Sequence, residues 1–176
     1  MIKQITRALA LAGSLILTNP AGSVSAAEKE AVVAIGQAAP ALYKDGNFKE
    51  ALEIYQENLA ENSPLKQANT DLDQAIFCLS KLNRVSEYDA LIELYLKKRG
   101  DNWQAQYYAA QKFLAAPHHG QLTNGIFERG RNSRSTGAWV NSSAYDQIKA
   151  LQHYEQALKL MEKGNKHPLR GQFYLD

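Results

Sequence analysis

The sequence contains a single cysteine, Cys78, among its 176 residues. No disulfide can therefore form within the chain, and a small domain without disulfides must rely on its apolar core. Cys78 lies in an apolar helical stretch beside Ala75 and Leu82. We expect it to be a small buried hydrophobe, the alternative being a reactive thiol.

The sequence also lacks the residue combinations on which enzyme chemistry depends. No Ser-His-Asp arrangement, paired-carboxylate cleft or glycine-rich cofactor turn is recognisable. His118 and His119 are adjacent, but no Asp, Glu or Cys stands near them at the spacing of a zinc site. His153 is expected on an exposed helix face. We therefore predict a non-catalytic chain with no metal site, no cofactor and no small-molecule substrate.

Residues 1–26 have the order of features typical of a secretory signal peptide. Lys3 and Arg7 precede a short apolar stretch at residues 8–18, and Val24-Ser25-Ala26 then places small residues where a signal peptidase cuts. An apolar stretch of about 11 residues is too short to cross a bilayer, which requires about 20. We predict an exported chain, periplasmic or associated with the cell envelope; a buried core helix or an uncleaved anchor is the alternative.

The formal net charge is zero once residues 1–26, the predicted leader, are removed. The leader holds two of the 20 Lys and Arg residues and none of the 18 Asp and Glu residues. The remaining 150 residues therefore have equal numbers of cations and anions, and such a protein has no long-range field that would gather nucleic acid. The expected partner is a protein, or neighbouring domains of the same chain. Contact with a membrane stays open.

Apolar residues recur with the helical period of 3.6 through most of the remaining chain, which predicts an all-α fold. The clearest stripe runs along residues 48–59. The predicted stripes are Ala31, Ile35, Ala38, Ala39 and Leu42; Phe48, Ala51, Leu52, Tyr55 and Leu59; Leu72, Ala75, Ile76, Leu79 and Leu82; Tyr88, Leu91, Ile92 and Tyr95; Trp103, Tyr107, Ala110 and Leu114; and Ile148, Leu151, Leu158 and Met161.

Local signals place the ends of several of these helices. Pro40 is expected to kink the first helix or to end it early. Ser86 is a plausible N-cap for the fourth helix, and Asp101 for the fifth. Lys97-Lys98-Arg99-Gly100 places cations and a glycine where the fourth helix should end.

Short helices joined by short turns indicate antiparallel helix pairs of the tetratricopeptide kind. Residues 43–55 resemble the turn and second helix of that repeat: Gly46 permits the tight turn, Ala51 lets two helices approach closely, and Tyr55 fills the gap to the next pair. Residues 150–158 resemble another second helix. The predicted domain is a tetratricopeptide-like helical repeat over residues 27–176, the alternative being a helical bundle with no binding groove.

Residues 117–143 interrupt the helical pattern and are rich in Gly, Arg, Ser and Asn. We interpret this segment as a long irregular insertion with a short extended stretch at residues 138–140. It lacks the Gly-Lys-Ser/Thr ending of a phosphate loop. Long loops in compact domains often bind or dock, and we propose Arg129, Arg131, Arg134 and Trp139 as docking residues, with Trp139 and Val140 anchoring the loop. A solvated flexible insertion is the alternative.

Another apolar-periodic segment begins near the end of the sequence, at Leu169, Phe173 and Leu175. No capping residue, glycine or polar tail follows it. We therefore expect the natural chain to continue beyond Asp176.

The insertion and the helix after it resemble the amino-terminal helical region of very large bacterial alpha-2-macroglobulin-like proteins. The resemblance spans roughly residues 31–176. It is carried by Asp101-Asn102-Trp103, by Phe127-Glu128-Arg129-Gly130 with Arg131, Arg134 and Gly137, by Val140-Asn141-Ser142, and by Ala150-Leu151-Gln152 with Ala157-Leu158.

The resemblance implies the amino-terminal scaffold of an exported protease inhibitor that traps its target protease. The thioester found in some members would need Cys-x-x-Gln, whereas this chain has Cys78-Leu79-Ser80-Lys81. The expected role is thus a non-catalytic helical platform for protein contacts. The alternative is a free-standing periplasmic tetratricopeptide-like adaptor in envelope assembly or secretion.

Overall fold

The computed structural model describes residues 38–130 and 137–163. The predicted signal peptide, the docking residues Arg131 and Arg134, and the apolar segment around Phe173 lie outside these residues. No helix in the described part is both long enough and apolar enough to cross a membrane.

Most of the described residues are helical, which confirms the dominant feature of the predicted fold class. The helices are α1 (residues 38–44), α2 (Phe48–Ala60), α3 (Leu65–Lys81), α4 (Tyr88–Lys97), α5 (Trp103–Leu114) and α6 (Ser143–Lys163), and a short 3-10 turn at Val85–Glu87 precedes α4.

The first core forms between α2 and α3, where the sequence pattern is strongest. Leu52, Tyr55 and Leu59 on α2 are fully buried against Leu72 and Leu79 on α3. Gly46 has a φ of +79°, a conformation that glycine adopts without a steric cost, so the tight turn before α2 is as predicted. Cys78 is also fully buried here, and burial raises the pKa of its thiol to about 11, so the prediction of a buried hydrophobe is confirmed.

Several predicted helix ends differ from the observed ones. Helix α1 runs through Pro40 to residue 44, so Pro40 does not end it early, because a proline ring clashes only with the turn before it. The alternative, a kink, involves residues before 38 and stays a prediction. Asn102, rather than Asp101, caps α5: its side chain accepts a hydrogen bond from Gln104 N at 2.9 Å. Ser86 lies within the 3-10 turn and caps no helix.

The second core lies between α4, α5 and α6. Tyr88 and Ile92 of α4 and Phe113 of α5 are buried with a set of alanines that allow close helix approach. These alanines are Ala109, Ala110 and Ala150.

The buried face of α6 is different from the predicted stripe. Ile148 and Leu151 are 55% and 66% exposed, and of the four predicted apolar positions only Met161 is fully buried. The buried positions are Asp146, Ala150, Ala157 and Met161. The pattern of large apolar residues did not predict this face, because two alanines and a buried aspartate make up most of it.

His153 is half-buried on α6 and not on the exposed face that was predicted. Its ring stacks on Phe113 with centroids 5.4 Å apart, and its Nδ1 lies 2.8 Å from Gln106 Oε1. Burial, followed by the positive charge of Lys149, lowers the pKa of His153 below its ordinary value. The structure therefore favours the neutral ring.

We expect this histidine to make the protein less stable in mild acid. Because its pKa is lower in the folded state than in the unfolded state, its contribution is complete above about pH 6.5 and is lost as the pH falls below that value. Urea unfolding between pH 5 and 7 should show a steeper loss for the natural chain than for His153→Gln. Equal pH dependence of the two proteins would contradict this expectation.

The segment predicted as an irregular insertion contains a three-stranded antiparallel sheet, so the all-α prediction was incomplete. The strands are β1 (His119–Thr123), β2 (Ile126–Arg129) and β3 (Ala138–Asn141), in the order β2-β1-β3. Only the extended stretch at residues 138–140 was anticipated. Asn124 and Gly125 connect β1 and β2 with φ values of +52° and +81°, which is the Asn-Gly two-residue hairpin turn.

Candidate interaction site

The two faces of the sheet have different surroundings. Residues paired across the strands share a face: Gly120 lies opposite Arg129 on one side and Val140 on the other, while Gln121 lies opposite Trp139. We call the face with Gly120 and Arg129 the inner face, because these two residues are buried on it, although Leu122 on the same face is 41% exposed. We call the face with Trp139, which is 55% exposed, the outer face.

Arg129, at the end of β2, holds the inner face of the sheet to two helices. Its Nε and Nη2 donate to Asp89 Oδ1 on α4, at 3.0 and 2.8 Å. Its Nη1 and Nη2 donate to Asp146 on α6, at 3.0 and 2.7 Å, and Nη1 also donates to the carbonyl of Pro117 at 2.8 Å. The guanidinium is further flanked by the rings of Tyr88 and Phe127, about 5.5 Å away.

Asp146 is the other centre of this buried cluster. Besides Arg129, it accepts a hydrogen bond from Ser142 Oγ at 2.7 Å, and His118 Nδ1 lies 2.8 Å from its Oδ2. Burial alone would raise the pKa of Asp146, but hydrogen bonds from Arg129, His118 and Ser142 outweigh burial and hold it below its ordinary value. Asp146 is thus a buried carboxylate kept ionised by its neighbours.

We call Arg129, Asp146, Asp89, His118 and Ser142 the arginine clamp. It joins β2, the loop before β1, α4 and α6, which no local interaction would bring together. Arg129 and Asp146 side chains are 1% and 0% exposed, so each ion depends on the other to offset its lost hydration. The clamp fixes the orientation of the sheet on the helices.

The clamp corrects the role predicted for Arg129. We predicted Arg129 as a docking residue for another protein surface, whereas both of its carboxylate partners belong to the same domain. Asp89 and Asp146 lie 40 and 17 residues away from it in the sequence, so local spacing contained no signal for these pairs.

Trp139 is a surface residue and not the anchor that was predicted. It is 55% exposed on the outer face of β3, and its ring stacks on His119 at 6.1 Å with an interplanar angle of 10°. Ile126, 67% exposed, lies on the same face at the start of β2. The anchoring role belongs to Arg129, so Trp139 remains available for contact with another protein surface. Arg131 and Arg134 lie outside the described residues.

His118 and His119 have separate surroundings in the structure. His118 belongs to the arginine clamp, and its Nε2 lies 3.1 Å from the carbonyl of Leu114. His119 stacks on Trp139 on the outer face. The described residues contain no group of three or more His, Cys, Asp or Glu side chains that could hold a metal ion.

Comparison with known proteins identified no relative of this chain. No family model, no curated protein and no solved structure matches this chain.

Proposed function

We propose that this chain is a non-catalytic scaffold that contacts another protein domain through the outer face of its sheet. The observation that supports this most directly is Trp139, a large aromatic side chain more than half exposed on β3, which pairs with β1 in the sheet that the clamp holds through β2. Tryptophan is enriched at the energetic centres of protein interfaces because one rigid side chain supplies a large contact area. The clamp lowers the ordering cost of binding, since β3 belongs to a sheet whose β2 strand is already held on the helices.

The parent protein that we propose is an exported alpha-2-macroglobulin-like protease inhibitor, with this chain at its amino terminus. The support is the sequence resemblance over residues 31–176, whose most specific residues include Arg129 of the arginine clamp. The proposed partner is then a neighbouring domain of the same protein. The tetratricopeptide-like arrangement of its helices is part of this proposal, and it is supported by the hairpin of α2 and α3 and the close contact of α5 and α6.

The alternative function is a free-standing periplasmic adaptor in envelope assembly or secretion. It uses the same outer face but requires a separate partner chain. The natural reading frame distinguishes the two: many β-sandwich domains encoded after Asp176 favour the inhibitor, and a stop codon directly after Asp176 favours the adaptor.

Site-specific photo-crosslinking in the producing cells tests the contact surface. A photoreactive phenylalanine analogue is placed at Trp139 in the natural full-length protein, and a matched probe is placed at the exposed Glu57 on α2. We expect one discrete crosslinked peptide pair from position 139 and no such pair from position 57. Peptide mapping then separates an intramolecular crosslink to a neighbouring domain from a crosslink to a separate partner.

Two outcomes would count against the proposed surface. One is the absence of any crosslink at position 139 under conditions in which the chain remains folded. The other is an identical set of products from positions 139 and 57, which would indicate random collision.

A further inference from the structure

Strand β3 forms one edge of the sheet, and its hydrogen bonds to β1 show which of its backbone groups face outward. Ser142 N donates to the carbonyl oxygen of His118 at 2.6 Å, so these two residues are a hydrogen-bonded pair. Bonded and non-bonded pairs alternate along an antiparallel ladder, so Val140 is bonded to β1, whereas Trp139 and Asn141 are not. The N–H and C=O groups of Trp139 and Asn141 therefore point away from β1.

The hydrogen bonds on the other side of β1 lead to the same assignment. Gly130 N donates to the carbonyl oxygen of His119 at 2.8 Å, so the backbone of His119 faces β2. Both backbone groups of a residue in an antiparallel strand point to the same side, so Asn141, which lies opposite His119, receives no bond from it. No other described backbone group bonds to Trp139 or Asn141 outside the sheet.

The two edges of the sheet have different surroundings. The edge at β2 lies against the 3-10 turn at Val85–Glu87, and a Cβ atom at Gly130 would lie 3.3 Å from Cβ of Val85. Among the described elements, only β1 packs extensively along β3, and three of the four β3 residues are exposed. The fold thus covers one edge with its own residues and leaves the other open in the described part of the chain.

The open edge lacks the side chains that usually block an edge strand. Natural proteins protect such edges with charged residues, proline or a bulge, because unpaired backbone groups can pair with another chain. The β3 sequence is Ala-Trp-Val-Asn, without charge or proline, and its register with β1 is regular. Its short length limits the edge to the outward groups of two residues. We call the outward backbone groups of Trp139 and Asn141 the β3 edge.

We propose, building on the proposed function, that the β3 edge pairs with an extended strand of the neighbouring protein domain. Its two sets of N–H and C=O groups are about 6.8 Å apart, two residues along a strand. Another extended backbone matches this spacing, whereas a helix bonds its backbone groups internally. The partner residue opposite Trp139 lies beside the stacked rings of Trp139 and His119, so an apolar side chain fits there.

Amide hydrogen exchange in the natural full-length protein, resolved to single residues by mass spectrometry, tests this pairing. We expect the N–H of Trp139 to exchange at least about 100-fold more slowly than in an unstructured peptide, because a paired strand must open before it exchanges. The N–H of Val140 is the internal control, since it is bonded to β1 and reports whether the sheet is folded. The measurement on the unmodified protein decides the proposal by itself.

Two variants at one position separate strand pairing from simple coverage. Asn141→Pro removes the outward N–H of residue 141, and Asn141→Ala retains it. Both variants lose the side-chain oxygen that accepts a hydrogen bond from Ser143 N at 2.7 Å, so that loss cancels in the comparison. Exchange at Trp139 should be about tenfold faster in Asn141→Pro than in Asn141→Ala, the scale of one lost hydrogen bond.

The outcomes distinguish this pairing from the proposed contact surface. Unprotected exchange at Trp139 together with a discrete crosslink from position 139 would overturn the strand pairing and leave the contact surface standing. Unprotected exchange without a crosslink would overturn both. Protection of Trp139 that is equal in the two Asn141 variants would show coverage without pairing, and a crosslink to β3 of a second copy would show self-association. Either result would overturn the proposal.

Discussion

Replacing Arg129 with alanine should lower the free energy of unfolding by about 3–5 kcal/mol, the range observed when one partner of a buried ion pair is removed. The physical reason is Asp146, which is fully buried and would lose the guanidinium that offsets its lost hydration. Asp89 also loses its partner, but it is partly exposed and can regain hydration. Urea denaturation at pH 7, followed by circular dichroism, measures the change.

The chain provides a matched control for this substitution. Arg84 forms a two-point ion pair with Glu87 through Nε and Nη2, at 2.6 and 2.7 Å, but both side chains are more than a third exposed. Arg84→Ala should cost less than about 1 kcal/mol because both partners remain hydrated. A loss below about 1.5 kcal/mol for Arg129→Ala, or equal losses for the two variants, would show that the clamp is not a major stabilising element.

Gly120→Ala should have the next largest effect, a loss of about 2–3 kcal/mol from overpacking. A methyl group at this position would collide with the carbonyl oxygen of Glu128 and would lie 2.6 Å from a ring carbon of Phe127. Because the oxygen belongs to the backbone of β2, the paired strands must separate to relieve the collision. Thermal unfolding gives the stability loss, and limited proteolysis between residues 117 and 143 reports whether the sheet has opened.

Gly125 is the appropriate control, since it is in the same hairpin but has open space around it. Gly125→Ala meets no steric contact and only strains the positive φ, so it should cost about 1 kcal/mol. If Gly120→Ala were as mild as Gly125→Ala and left the sheet resistant to protease, the close strand approach at Gly120 would be wrong. The same variant should also abolish the specific crosslink at position 139, because that contact depends on the position of β3.

The sequence predicted α2, α3 and α4 well because their stripes are periodic and contain large apolar side chains. Leu52, Leu72 and Leu91, for example, occupy the buried faces that a period of 3.6 requires. The same reasoning failed on α6, where the buried face includes Asp146. An aspartate is counted as exposed in any pattern of this kind, and only the opposing guanidinium makes its burial tolerable.

The sheet could have been predicted in part from the sequence. Asn124-Gly125 is a strong hairpin signal, and it was present in the sequence. It was missed because the flanking strands are short and mostly polar, so the alternation expected of a half-buried strand is weak. Trp139 was predicted as an anchor because it is apolar within a polar stretch, and its exposure follows only from the pairing register of β3 with β1.

The sequence by itself determined the helical character of the domain and the burial of Cys78, because amphipathic periodicity and apolar burial are encoded over a few consecutive turns. The tertiary structure alone decided which face of α6 is buried, how the insertion pairs into a sheet, and that Arg129 binds carboxylates of its own domain. These features depend on charges and backbone groups that are far apart in the chain, and their compensation exists only once the helices have brought them together.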